Sequence, residues 1–256
     1  MKKYTVITGA SSGIGYETAL AFAARGKNLV IVARRTEELE KLKTEIVKVN
    51  AALDVVIKTV DLSNMKNAYT LYEDLKGYEI ETWINNAGFG NFASVGDQNL
   101  TKIETMLNLN IEALTILTSL YVRDYSSVEG TQIINVSSGG GYTIIGNAIT
   151  YCASKFYVSA FTEGLAHELK EKGASMQAKL LAPAATETEF AKVSNDLEEN
   201  VKFEGLLPKY HTAKEMAGFM LDLYDSEKVV GIVDGLTYEF QLKDPIYPYA
   251  VRMRSE

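Results

Sequence analysis

YTVITGASSGIG, Tyr4 to Gly15, begins as a β-branched apolar run and ends on three glycines, Gly9, Gly13 and Gly15. The run reads as a strand, and the residues from about Ile14 onward read as a helix, so the glycines occupy the turn between them. Glycine permits the tight turn and lets backbone N–H groups approach an anion, while the helix points its positive end at the same place. A glycine-rich turn without a ligand is the plainer alternative. Placement at the head of a βαβ unit favours a dinucleotide pyrophosphate, held by Gly9, Ser11, Ser12, Gly13, Ile14 and Gly15.

Outward from this turn, short apolar runs alternate with helical patterns along the chain. Strand-like runs are NLVIVAR (28–34), DVVIKTV (54–60), TWINNAG (82–88), TQIINVSS (131–138), MQAKLLAP (176–183) and VVGIVDG (229–235). Helical spacing covers 36–49, with Leu39, Leu42 and Ile46 on one face, and also 64–76, about 100–125 and 150–172. Strands that are apolar throughout and separated by helices imply a parallel sheet covered on both faces, with right-handed crossovers. The pattern predicts an α/β fold: a doubly wound parallel seven-stranded sheet flanked by helices (Rossmann fold), in a single domain spanning 1–256. Its ligand belongs at the carboxyl ends of the strands. The polar stretch at about 184–212 shows no clear strand and reads as a substrate lid. The tail at about 236–256, with Pro245 and Pro248, reads as extended.

Composition narrows the classes of function. The chain has 256 residues, 46% of them hydrophobic, and a formal charge of −7, which argues against a nucleic-acid partner. With one cysteine, Cys152, and two histidines, His167 and His211, a zinc site or a histidine triad has little to draw on, so no metal is expected. No disulfide can form within the chain, and no apolar run approaches the ~18 residues of a membrane span. The expectation is a cytoplasmic protein with no membrane partner.

The end of the second strand bears on which dinucleotide binds. A free ribose 2′-OH is usually met by an acidic residue there. This strand instead ends Val32-Ala33-Arg34-Arg35, and both arginines can make bidentate contact with a phosphate. The reading is NADP(H). A solvated arginine pair opening a helix is the alternative, although the helix dipole does not favour it.

TGASSGIG, then Asp61-Leu62, NNAG at 85–88, Ser138, and Tyr151-x-x-x-Lys155 within VSSGGGYTIIGNAITYCASKF (136–156), follow one another in order. Together they resemble the short-chain dehydrogenase/reductase family, in its single-domain branch, over nearly the whole chain. The resemblance implies that Asp61 and Leu62 flank the adenine, and that Asn86, Ala87 and Gly88 line the strand edge beneath the cofactor. It implies that Pro183, Thr186 and Thr188 contact the nicotinamide carboxamide, and that Asn110 is the active-site asparagine, with Asn108 a rival. Ala184 departs from the family's glycine after the proline, and Thr186 from an aliphatic residue.

The expected activity interconverts a carbonyl and an alcohol by hydride transfer. An unperturbed phenol has a pKa near about 10, so Tyr151 needs help to act as a general base. A cation at i+4 on the same helix face is expected to lower that value, and Lys155 is so placed. By the same resemblance Lys155 also holds the nicotinamide ribose, Ser138 donates to the substrate oxygen, and Asn110 anchors a water leading to solvent. The substrate is a small-molecule carbonyl or alcohol, with Tyr142, Ile144, Ile145 and Phe190 as candidate pocket residues. A homodimer or homotetramer is expected from the resemblance. A catalytically silent dinucleotide-binding sensor or scaffold is the alternative; its mark would be a damaged tetrad, and Asn110, Ser138, Tyr151 and Lys155 are all present.

Overall fold

The computed structural model of the protein describes residues 2–250. The strands of its main sheet run β1 (Lys3–Thr8), β2 (Asn28–Ala33), β3 (Val55–Thr59), β4 (Glu79–Asn85), β5 (Gln132–Val136), β6 (Gln177–Ala182), β9 (Val230–Val233) and β10 (Phe240–Lys243). A separate two-stranded ladder pairs β7 (Thr186–Glu187) with β8 (His211–Thr212). The helices are α1 (Gly13–Ala24), α2 (Thr36–Val49), α3 (Met65–Asp74), α4 (Leu100–Leu107), α5 (Leu114–Tyr125), α6 (Ile149–Glu171), α7 (Phe190–Ser194) and α8 (Ala213–Asp225).

Across the sheet the order is β10-β9-β6-β5-β4-β1-β2-β3, parallel except for the last pairing of β10 on β9. The apolar strand runs dictate this arrangement: β2 is buried from Leu29 to Ala33, so both its faces need a helical cover. One face packs Phe22, Leu39, Leu42, Ile46, Met216 and Met220 from α1, α2 and α8. The other packs Leu71, Tyr72, Leu117 and Tyr121 from α3 and α5, with Trp83 fully buried at the centre. The neighbours of β1 are β2 and β4, so the strand order reverses at β1, and a crevice opens at the carboxyl ends of β1 and β4.

The sheet has eight strands, not the seven expected from the sequence. The eighth comes from the tail, where Asp234 accepts from the N–H groups of Leu236 and Thr237, and Tyr238 takes φ 62°. That turn sends Phe240–Lys243 back along β9, whose outer edge would otherwise expose unpaired backbone groups. A Cβ on Gly231 would lie 2.9 Å from Phe240, so glycine there admits the ring. Phe240 also stacks on Phe219 of α8 at 4.4 Å.

The helix expected over 100–125 is divided. Between α4 and α5 one wider turn, Asn108–Ala113, has π-helical hydrogen bonding, and Asn110 sits buried within it. Such insertions often mark functional sites because they redirect side chains that a regular helix would place elsewhere.

Downstream of β10 the chain lies against α6. The buried Glu163 carboxylate accepts from the Tyr142 hydroxyl and from the N–H groups of Ile246 and Tyr247, and the Tyr247 hydroxyl donates to Gly141 at 2.6 Å. Tyr142 is therefore turned toward the tail, stacked on Tyr247, and is not a wall of the expected substrate pocket. The part of the tail beyond Ala250 lies outside the described residues.

Candidate active site

The glycine turn meets the end of β4 at close range. Gly9, at φ 69°, leaves room for a Cβ only 2.8 Å from Ala87 Cα, and a Cβ on Gly15 would come within 2.4 Å of Gly9 O and Asn86 Nδ2. Neither position admits another residue. The Thr8 hydroxyl accepts from the N–H groups of Asn86 and Ala87 at 3.0 Å each, and Asn86 Nδ2 donates to Thr8 O at 3.0 Å. These bonds fasten NNAG to the glycine turn. Ser12 stands at the N-cap of α1 without using its side chain to cap, and the first turn carries no acid. The first-turn N–H groups thus lack a side-chain acceptor and fit an anionic phosphate.

At the edge of the crevice, Arg34 and Arg35 follow β2 as expected. The Arg35 guanidinium donates to Ser11 Oγ at 3.2 Å and grips the Glu189 carboxylate at 2.8 and 3.2 Å. Among the described residues Arg34 has no ion-pair partner. Leu62 is buried, while the Asp61 carboxylate accepts from Ser63 N and Oγ and so shapes the turn after β3.

Four candidate catalytic residues converge at the ends of β4 and β5. Lys155 Nζ donates to Val136 O at 2.9 Å and lies 6.0 Å from the centre of the Tyr151 ring. Ser138 follows β5, where its hydroxyl accepts from Gly140 N at 3.0 Å, and it acts against burial to lower the Tyr151 phenol. A Cβ on Gly88 would sit 2.9 Å from Asn110 Oδ1 and 3.5 Å from Lys155 Nζ, which gathers these three residues at one point. Asn110 bonds both the N–H and C=O of Phe89, and its Nδ2 donates to Ser154 Oγ, which in turn donates to Tyr151 O at 2.7 Å. Ser154 was not anticipated; at three residues beyond the tyrosine it reads as an ordinary helix position. Asn108, the rival, lies outside this cluster of contacts.

Electrostatics in this pocket run against the sequence expectation. Burial pushes the Tyr151 phenol up to about 12, with the Ser138 hydroxyl pulling the other way. Burial likewise pushes Lys155 down to about 8. Loss of solvent is the largest cause at both groups, so each leans toward its neutral form.

Residues 3–199 match the family model for short chain dehydrogenases. The chain belongs to the short-chain dehydrogenase/reductase family. It is 29% identical over 195 residues to human dehydrogenase/reductase SDR family member 11, covering 74% of this chain and 75% of that protein. A short-chain dehydrogenase from Sphingobium yanoikuyae, solved in complex with NADPH, superposes with a TM-score of 0.81 at 29% identity, over 90% of this chain and 87% of that one. The bulky-bulky ketone specific alcohol dehydrogenase from Comamonas testosteroni gives 0.77 at 28% identity, over 90% and 85%. Membership carries the broad chemistry of a dehydrogenase/reductase working between alcohol and ketone with a nicotinamide dinucleotide. Among the described residues no helix is long and apolar enough to cross a membrane.

The start of the segment after β6 lies against this short-chain dehydrogenase/reductase site. Pro183 O accepts from Gly139 N at 2.7 Å, which joins the segment to the loop after Ser138. The hydroxyl of Thr186, the departure from the family pattern, donates to Ala184 O at 2.9 Å, and His211 N donates to Ala185 O at 3.0 Å. The β7–β8 ladder thus ties the base of the segment. Thr188 covers the glycine turn: a Cβ on Gly13 would meet its Cγ2 at 3.0 Å. Phe190 packs on the Tyr151 ring at 5.4 Å, and Phe92 packs on Tyr151 and on Phe190 at 6.2 Å each. Glu189 was not singled out in the sequence, because nothing local marks a glutamate whose partner is 154 positions away.

Proposed function

We propose that the protein is an NADP(H)-dependent carbonyl reductase, with Tyr151 as general acid/base assisted by Lys155, Ser138 and Asn110. The observation that carries this is the convergence of those four side chains beside the glycine turn. Gly9, Ser11, Ser12, Gly13, Ile14 and Gly15 would hold the pyrophosphate. Asp61 and Leu62 would flank the adenine, Asn86 to Gly88 would lie beneath the cofactor, and Pro183, Thr186 and Thr188 would hold the carboxamide. Arg34 and Arg35 support the NADP(H) reading, since both can meet a 2′-phosphate and Ala33 stands where an acidic residue would meet a free 2′-OH.

When bound, a reduced nicotinamide supplies the hydride that reaches the carbonyl carbon. Tyr151 gives its phenolic proton to the carbonyl oxygen as negative charge builds there. A phenol held at about 12 keeps that proton at neutral pH, the form that delivery to a carbonyl oxygen requires. The Ser138 hydroxyl donates to the same oxygen, and the Lys155 ammonium stabilises the phenolate left behind. Asn110 holds the route by which Lys155 is resupplied with protons. Ile144, Ile145, Ile149 and Val193 are exposed apolar residues on the loop after Ser138, the start of α6 and α7. They suit a carbonyl compound with an apolar flank.

Incubation with NADPH and a panel of aldehydes, ketones and diketones tests the proposal. Substrate-dependent loss of the NADPH absorbance is expected, strongest for apolar ketones. An absence of NADPH binding by fluorescence at every concentration would end the reductase account.

A further inference from the structure

Arg35 is already engaged by a ligand-like group. Its guanidinium fork takes both oxygens of Glu189, at 3.2 and 2.8 Å, while its other N–H groups hold Ser11 in the glycine turn. Glu189 stands at the N-cap position of α7 with its side chain turned to Arg35, and the next residue, Phe190, lies on the Tyr151 ring at 5.4 Å. The preceding residue, Thr188, lies against Gly13. Three consecutive side chains therefore span the crevice, from the phosphate end to the proposed acid.

We propose that Glu189 sets the choice between the two nicotinamide cofactors: its carboxylate occupies the Arg35 fork that a ribose 2′-phosphate would take, so that phosphate entry displaces Glu189 and lifts Phe190 from Tyr151. The inference rests on the NADP(H) reading of Arg34 and Arg35. A phosphate offers the same bidentate geometry as a carboxylate with more charge. The 2′-OH of NADH has no anion with which to compete for the guanidinium. The Arg35 and Glu189 side chains are 46% and 38% exposed, so water can replace the pair as it opens and the exchange is feasible. Once displaced, Glu189 faces the phosphate as a like charge, which drives the start of α7 away. α7 is only five residues long, so Phe190 must move with its cap. Phosphate binding thus discriminates between open and closed segments, as a population shift requires.

The test combines nucleotide affinity with amide hydrogen exchange in the full-length protein. NADPH and NADH dissociation constants are measured by fluorescence for wild type and Glu189→Gln. Exchange across 188–195 is followed with saturating adenosine 2′,5′-bisphosphate or 5′-AMP. In wild type, exchange should quicken with the bisphosphate and stay unchanged with 5′-AMP. In Glu189→Gln it should be fast from the outset, with the NADPH constant lowered about three- to fivefold, as loss of a competing exposed ion pair predicts, and the NADH constant unmoved. NADPH preference in wild type with no change in Glu189→Gln would overturn the displacement and leave the cofactor reading standing. Equal affinity for NADH and NADPH in both wild type and Glu189→Gln would remove both.

Discussion

Tyr151 and Lys155 are one helical turn apart, and desolvation moves them in opposite directions, the phenol up to about 12 and the ammonium down to about 8. At neutral pH both therefore carry their protons, the state that proton delivery to a carbonyl requires. For reduction, kcat/KM should be flat below about pH 8 and fall above it as Lys155 loses its charge, well before Tyr151 ionises. A rate still flat at pH 9.5 would contradict this. The same shift affects stability. Between about 8 and 10.5 the unfolded chain holds the lysine proton and the fold does not, so raising pH through that window favours the fold. Below it, the full cost of the buried ammonium stands. Lys155→Met should therefore lose activity yet gain about 1–2 kcal/mol at pH 7, an advantage that shrinks toward pH 10.5 in paired thermal melts. Residue types and the four-residue spacing were legible in the sequence. The direction of the pKa shifts was not, because it depends on Phe92 and Phe190, distant residues that cover the tyrosine.

Among the elements, α8 shows how a buried charge can be structural. Its first turn closes with a capping box between Thr212 and Glu215. Near its other end, Lys179 of β6 donates to Leu223 O, Tyr224 O and Ser226 O at 3.1, 2.8 and 2.5 Å. Burial pulls this lysine to about 8, yet three carbonyls would be left short without it. Lys179→Met should therefore destabilise by about 2–3 kcal/mol in urea unfolding, the reverse of the effect at Lys155. A neutral or stabilising result would show that desolvation wins here too. Long periodic elements were readable because apolar spacing is a local property, as α2 illustrates with Leu39, Leu42 and Ile46 all buried. The π-helical turn at Asn108–Ala113 was not readable, since its apolar spacing continues that of the flanking helices. Nor was β10, a four-residue strand fixed by an Asp234 turn and by the Phe240 contact with Gly231.

Across the whole molecule, the reversal of strand order at β1 brings the glycine turn and α6 to one crevice, although the chain separates Gly9 from Tyr151 by most of a domain. Ordered motifs made that juxtaposition legible, whereas the packing of Phe190 on Tyr151 joins positions that no local pattern links. Exchanging Arg34 and Arg35 together for alanine should raise the NADPH dissociation constant about 10- to 100-fold and leave NADH nearly unchanged. Equal losses for both cofactors, measured by fluorescence titration, would take the 2′-phosphate away from these arginines. The central claim is that Tyr151 passes a proton to the carbonyl oxygen beside the cofactor site, and single-turnover oxidation of bound NADPH by Tyr151→Phe tests it most directly. NADPH affinity should hold within about threefold while the carbonyl-dependent step slows about 10²- to 10⁴-fold. A step that proceeds at the wild-type rate in Tyr151→Phe would contradict the account.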